Sequence, residues 1–444
     1  MYLSLAVAAV VLASLPLTLA RPWIGILVWS WLGYMNPHRL TWGFAYSAPF
    51  AQMVALATLA GLAFTKERAP LPRTRETYLL FALWTVFGVS TLFSLYPNDA
   101  WVQFQKVSKI LFMTFVTLLL FQDAKRVKVL LWVIALSIAF YGVKGGIWAI
   151  ATGGQNQVLG PPDSFIEGNT MLGLALDMVL PILLFLRRQT PRRWLRHVML
   201  AAALLCALSA LMTYSRGAFI GLAIVSVALL LRVRAKAALL VLLVLAVLVA
   251  PAVIPERWFQ KMDTIKTYQE DESAMSRITA WGISYQLALE RPLFGGGFRT
   301  LTSDVWSRFV PGYTRDTDAH SIYFQVLAEH GFLGLGVFLA LILSTLATLR
   351  RVKRQTKGHA ALAWVRDCAQ MLEVSFYAFL VAGAFLSLSY FDLFYHLIAI
   401  AVILRVLVER HHAGPPAPAG PASLTGTGPC AGGRPPLRCV EAVR

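Results

Sequence analysis

The sequence predicts an all-α polytopic membrane protein with about 12 transmembrane helices and one large outer loop carrying short amphipathic helices. Three observations predict it. Of the 444 residues, 57% are hydrophobic and only 14% charged, whereas soluble domains run nearer half apolar and about a quarter charged. The apolar residues gather into runs such as "HVMLAAALLCALSALMTY" and "AALLVLLVLAVLVAPAVI", close to the roughly 20 residues that a helix needs to cross a bilayer. Lys and Arg lie between those runs, in every second connection. A transmembrane β-barrel would show short alternating segments instead.

Taken in order, the spans fall at about 3–20, 22–35, 48–64, 77–96, 107–121, 129–150, 170–186, 198–214, 218–231, 237–254, 332–349, 369–388 and 392–408. The first two are short and share Arg21-Pro22, which gives 12 or 13 crossings. No Lys or Arg precedes Arg21, so the start lacks the basic region of a signal peptide and is expected to be retained. The chain divides into N-terminal helices (1–128), central helices (129–254), an outer loop (255–331), C-terminal helices (332–412) and a tail (413–444). That tail, "AGPPAPAGPASLTGTGPCAGGRPP" and onward, is too rich in Pro and Gly to bury a core and reads as disordered and cytoplasmic.

Forty Lys and Arg against 22 Asp and Glu give a net charge of +18, which in a soluble protein would suggest nucleic acid. Position argues otherwise. Segments 65–76, 122–128, 187–197, 232–236 and 350–366 hold 21 of the 40 basic residues, as cytoplasmic loops should under the positive-inside rule. A nucleic-acid binder would gather them on one surface. The alternate connections, including 151–169 with no Lys or Arg, then face outward. Cys206 lies in a span, Cys368 borders a basic loop, and Cys430 and Cys439 lie in the tail, so no disulfide framework or Cys-based metal site is indicated.

Residues 255–318 form the longest connection, with eight Lys or Arg and nine Asp or Glu, and a loop of that length is usually functional or disordered. Its content argues for order. "SAMSRITAWGISYQLALERPLFGGG" opens with Ser273 as a possible cap, carries Met275, Ile278, Trp281, Tyr285 and Leu289 at helical spacing, and stops at Pro292 and three glycines. This is an amphipathic helix, expected on the membrane surface or across a cavity mouth. Arg277 and Trp281 are four apart and share a face, so the guanidinium could rest near the indole. On this stretch alone, an Arg snorkelling from an interfacial helix is the plainer reading.

In "DTDAHSIYFQVLAEHGFLG", residues 316–334, Thr317 or Asp318 could cap a helix that places His320 in its first turn. The positive helix end disfavours imidazolium there, while Asp316 and Asp318 favour it, so the direction of the shift stays open. Gly331 is expected to end that short helix, and Phe332 to begin the next span. A solvated interfacial histidine is the competing reading. In "MTYSRGAF", residues 212–219, Arg216 occupies a tight outward turn, where an anion should compensate it. A lipid headgroup would do so, and so would a phosphorylated substrate.

Arg216, Arg277 and His320 thus all fall on the outer side. Two guanidiniums suit bidentate binding of phosphate oxygens, and an imidazole suits proton transfer near neutral pH. The set could bind a lipid-linked pyrophosphate and activate a hydroxyl against it. Asp-x-Asp occurs in an outer loop only as "DTD" at 316–318, so arginine rather than a divalent cation is expected to neutralise the leaving group, with no metal site and no cofactor.

These motifs resemble a family. "HSIYFQVLAEHGFLG" fits the O-antigen ligase and polymerase pattern through His320, Ser321, Gly331 and Gly334. "YSRG" at 214–217, and "SRITAW" followed by "ERPLFGGGF" at 276–298, look like its two arginine motifs, and "EGNTMLGLALDMVLP" at 167–181 resembles its outer-loop-to-helix segment. The resemblance covers roughly residues 130–408. It implies a membrane-embedded, metal-independent, inverting glycosyltransferase that moves a glycan from undecaprenyl pyrophosphate to an acceptor sugar of lipid A–core. His320 would be the base, Arg216 and Arg277 the pyrophosphate ligands, and Arg299 a second-rank ligand. The bacterial inner membrane, with the site facing the periplasm, is the implied location.

The N-terminal third departs from the commonest ligases. "WLGYMNPHRLTWGFAYSAPFAQ" at 31–52 is similar to O-glycosylation ligases associated with exosortase systems. Lipid A–core, another glycan or a secreted protein therefore remain open as acceptors, and a sugar polymerase would use the same residues. A transporter is the rival from another class, on the strength of the intramembrane charges Asp177, Lys144 and Glu373. It would show repeated halves and interrupted helices at matching positions, and neither is found. Asp177 and Glu373 are expected to be paired within the bundle.

Overall fold

The computed structural model describes residues 2–232, 255, 256, 258, 272–312 and 316–413. The expected span at 237–254, the start of the outer loop, and the expected tail beyond Ala413 lie outside the described residues. Every other expected span coincides with a helix, and no strand occurs among the described residues. Among the described residues, seven helices are long and apolar enough to cross a membrane, while Phe50–Phe64 and Arg216–Leu230 are apolar but shorter.

Local chemistry sets where helices begin. Thr74, Asp123 and Ser215 each accept a hydrogen bond from the backbone N–H three residues on, opening Arg75–Leu92, Ala124–Ala151 and Arg216–Leu230. The innermost helix is Asp392–Ala413, whose residues from Leu393 to Leu404 are at most 1% exposed. A helix apolar on all sides belongs in the centre. Around it pack Pro97–Leu120, Ile322–Gln355 and Ala363–Ala382, while Asn169–Gln189 lies between Arg193–Leu211 and Ala363–Ala382. Tyr2–Ala20, Pro22–Met35 and Phe50–Phe64 form a smaller group with its own apolar cluster.

Basic segments meet at one end of this bundle. Arg126 bonds Glu67 at 2.7 Å, and the Lys128 ammonium sits 4.8 Å from the Trp364 ring centre. Glu373 is held by Arg232 at 2.8 Å, Arg350 at 3.3 Å and Lys353, so its expected pairing is observed. Asp177 differs. It is fully buried, and neither carboxyl oxygen has a hydrogen-bond partner among the described residues. Gly221 makes the room, since a Cβ there would stand 2.5 Å from Asp177 Oδ2.

The helix Glu272–Glu290 forms as the spacing predicts, but it includes Ser273 rather than being capped by it. Its large apolar side chains face away from the bundle. Ala280, Ile283 and Leu287 pack on Val305, Trp306 and Ala328, whereas Met275, Ile278, Tyr285 and Leu289 are 40–57% exposed. Buried Ala280, Ser284 and Ala288 are small enough for close approach, and the large side chains are left outside. An outward apolar stripe is what a helix at a bilayer surface presents.

Candidate active site

The site is built on the segment 316–322. Asp316 Oδ1 accepts from Ser303 N at 2.6 Å, Thr317 O from Trp306 Nε1 at 3.0 Å, and Ala319 O from Trp281 Nε1 at 2.9 Å. Two indoles and one backbone N–H therefore fix the chain just before His320. Trp281 is itself held by stacking on Phe324, at 5.2 Å between centroids and 8° between planes.

His320 does not lie in a helical first turn. The helix Ile322–Gln355 begins two residues later, after Ser321, and His320 has φ 46°. That left-handed conformation is uncommon outside glycine and costs on the order of 1–2 kcal/mol. The hydrogen bonds on the preceding residues hold the chain in place. Gly331, as expected, breaks the helix. Its φ of 66° and ψ of −169° favour glycine, and a Cβ would stand 2.5 Å from Pro292 O.

Half-buried, His320 has its pKa pushed below the ordinary histidine value, first by burial and then by the Arg277 guanidinium, with Asp318 opposing. The Arg277 guanidinium thus lies within electrostatic reach of His320, and burial supplies the direction that the sequence left open. Arg277 lies one turn before Trp281, on the helix that Trp281 pins to Ala319.

Arg216 arrives by a separate route. It is the first residue of Arg216–Leu230, half-buried, after the positive-φ Tyr214. A Cβ on Gly217 would stand 3.3 Å from Phe385 Cβ, and one on Gly383 would stand 2.7 Å from Ile322 Cδ1. The turn Gly383–Phe385 therefore touches both the Arg216 helix and the helix that follows His320.

Arg299 shares a cavity lining with Asp318. Its backbone, at φ 57°, donates from N to Glu329 Oε1 at 3.0 Å. The glycine run leads to it: Gly296 N and Gly297 N bond the carbonyls of Ala328 and Glu329 at 2.8 and 2.9 Å. Arg299 lines a cavity of about 450 Å³ together with Asp99, Gln103, Asp318, Gln325 and Glu329; Ala319 lines it next to His320, while His320, Arg216 and Arg277 do not.

Sequence reasoning missed most of that lining. Glu329 is 6% exposed and accepts from Tyr390 as well as from Arg299 N. Tyr390 also bonds His330 Nε2 at 2.8 Å, and His330 Nδ1 pairs with Ser90 Oγ at 2.6 Å. A signal was present in the sequence. Asp99 with Gln103, and Gln325 with Glu329, are polar pairs four apart, each on one face of a helix.

Comparison with known families falls into two stretches. Residues 200–339 match the model of the O-antigen ligase family, and residues 2–191 match a family of unknown function, DUF5935. No curated protein matches the chain. The first stretch contains the Arg216 turn, the Arg277 helix, Arg299 and His320.

Proposed function

We propose, with residues 200–339 an O-antigen ligase region as the premise, that this chain is a glycosyltransferase. It moves a polysaccharide from undecaprenyl pyrophosphate to a hydroxyl of an acceptor, at the periplasmic face of a bacterial inner membrane. The observation that carries this reading is the convergence of Arg277 and His320 on a segment fixed by Trp281 and Trp306. A neutral imidazole beside a guanidinium can take a proton from a hydroxyl while the cation holds an anionic leaving group.

His320 removes the acceptor proton, and the freed oxygen attacks the anomeric carbon from the face opposite the pyrophosphate. The glycosidic C–O bond breaks, and its electron pair leaves with undecaprenyl pyrophosphate, whose charge Arg216 and Arg277 hold. Configuration at the anomeric carbon inverts. No divalent ion enters this scheme. The arginines supply the charge that a cation would otherwise bring to the leaving group. The acceptor sugar occupies the cavity beside Asp318, whose Gln103, Gln325 and Glu329 can bond hydroxyls.

Lipid A–core, in lipopolysaccharide biosynthesis, is the acceptor the family suggests. A second reading, with another glycan or a protein as acceptor, is favoured by the lining itself. Asp99, Asp316, Asp318 and Glu329 outnumber Arg299 there, which suits an uncharged hydroxyl better than a phosphorylated core. Purified protein, given an undecaprenyl-pyrophosphate glycan and each acceptor in turn, tests both. Transfer to none of them, with donor intact, overturns the glycosyltransferase reading.

A further inference from the structure

Lys144 has no role in that scheme, and its placement calls for one. It lies in Ala124–Ala151, a helix long and apolar enough to cross a membrane, seven residues before the helix end. At 1.5 Å per residue that is about 10 Å inside the end. The side chain is exposed, and no hydrogen bond or ion pair reaches it among the described residues. Charges within a membrane helix normally face a cavity or a partner. Lys144 faces a cavity of about 380 Å³, lined also by Leu40, Tyr141, Trp148, Gln157 and Leu159.

Above and below it the same helix face is apolar and outward. Leu136, Phe140, Ile147 and Trp148 are 40–54% exposed, at spacings of three or four residues from one another or from Lys144. One ammonium at a cavity mouth, with an apolar track running from it along the helix, fits a phosphate carried on a long hydrocarbon chain.

The cavity wall also leads to the Arg216 turn. Val158, which lines the cavity and packs on Gly145, donates from N to Met212 O at 3.0 Å. Tyr214 donates to Gly154 O at 2.6 Å, and Asn169 Nδ2 to Thr213 O at 2.8 Å. Arg39 and Tyr46 hold Asp163 of the same loop at 3.2 and 2.7 Å.

We infer that Lys144 and this cavity form a lateral binding site for a lipid-borne phosphate, one loop away from Arg216. Its use as a station for the carrier lipid rests on the proposed function; the binding itself does not.

The test is native mass spectrometry of the full-length protein with undecaprenyl phosphate, phosphatidylglycerol and, as a phosphate-free control, dioleoylglycerol. It is run on an Arg216→Ala background, so that the proposed pyrophosphate site contributes little. The expected result is retention of a phosphate lipid over dioleoylglycerol, weakened about tenfold by Lys144→Met and kept by Lys144→Arg, the scale of one charge-assisted hydrogen bond. Preference for undecaprenyl phosphate identifies the carrier as the occupant, and preference for phosphatidylglycerol a structural lipid; both support a phosphate site. Equal retention by Lys144→Met, or of dioleoylglycerol, overturns it and leaves a lysine that merely snorkels. A parallel measurement of intrinsic tryptophan fluorescence on lipid addition, in wild type and Lys144→Gln, with Trp148→Phe to identify the part of the response due to Trp148, decides the matter if the double variant unfolds. A response that Lys144→Gln abolishes supports the site, and one unchanged by it overturns the site. No donor glycan or acceptor is present, so failure of the glycosyltransferase reading would leave these outcomes intact.

Discussion

Trp281 Nε1 donates to the Ala319 carbonyl at 2.9 Å, tying the helix that carries Arg277 to the residue before His320. Trp281→Phe would keep a ring on Phe324 and lose that bond. One neutral hydrogen bond contributes about 0.5–1.5 kcal/mol. Transfer is expected to slow by up to about tenfold, with thermal unfolding nearly unchanged, and a rate equal to wild type would mean that this tie does not position His320.

His320→Ala is expected to abolish transfer while leaving folding and donor binding largely intact, because the side chain is only half-buried. The sequence alone predicts that His330, ten residues on in the same stretch, tolerates replacement far better, but it is fully buried between Ser90 and Tyr390. His330→Ala should destabilise the protein by about 2–4 kcal/mol, read as a lowered Tm. Near-normal transfer by His320→Ala at ordinary expression would sink the assignment of the base.

Arg216→Lys and Arg277→Lys keep the charge and lose the planar fork. Each is expected to slow transfer on the order of 10²–10³, the scale of one contact that strengthens in the transition state. Arg308, paired at 2.8 Å with exposed Glu290, should accept Lys with little loss. Arg315, in the same outer loop, is expected from sequence to accept Lys as well, and it lies outside the described residues. Equal rates for Arg216→Lys, Arg277→Lys and Arg308→Lys would remove the pyrophosphate site.

Chelation should leave transfer unchanged, since guanidiniums take the place of a cation at the leaving group. Activity lost in EDTA and restored by Mg²⁺ or Mn²⁺ would mean that the charge balance of the site has been misread.

The pH profile follows from the direction of the His320 shift. Burial and Arg277 lower its pKa, so the neutral base persists below the ordinary value of about 6.5. The acid limb of the transfer rate should therefore lie below that value. Asp318 favours the imidazolium, so Asp318→Asn removes a raising influence and should move the limb to still lower pH. A limb above 6.5, or one moved upward by Asp318→Asn, would contradict His320 as the titrating base.

The sequence by itself determined the helical spans, the alternation of basic connections, the break at Gly331 and the chain order of the arginine and histidine motifs. These are legible because a bilayer imposes a local rule: each crossing segment must satisfy its own backbone and present apolar side chains, which leaves its mark within some twenty residues. Only the tertiary structure decided that His320 precedes its helix in a left-handed conformation, that burial lowers its pKa, and that the large apolar residues of Glu272–Glu290 face outward. It also decided that Asp99 and Gln103 meet Gln325 and Glu329 across more than two hundred residues of chain, around one cavity. Those outcomes depend on which helices are small enough on one face to approach each other. That is a property of pairs of distant segments, and no single stretch of sequence contains it.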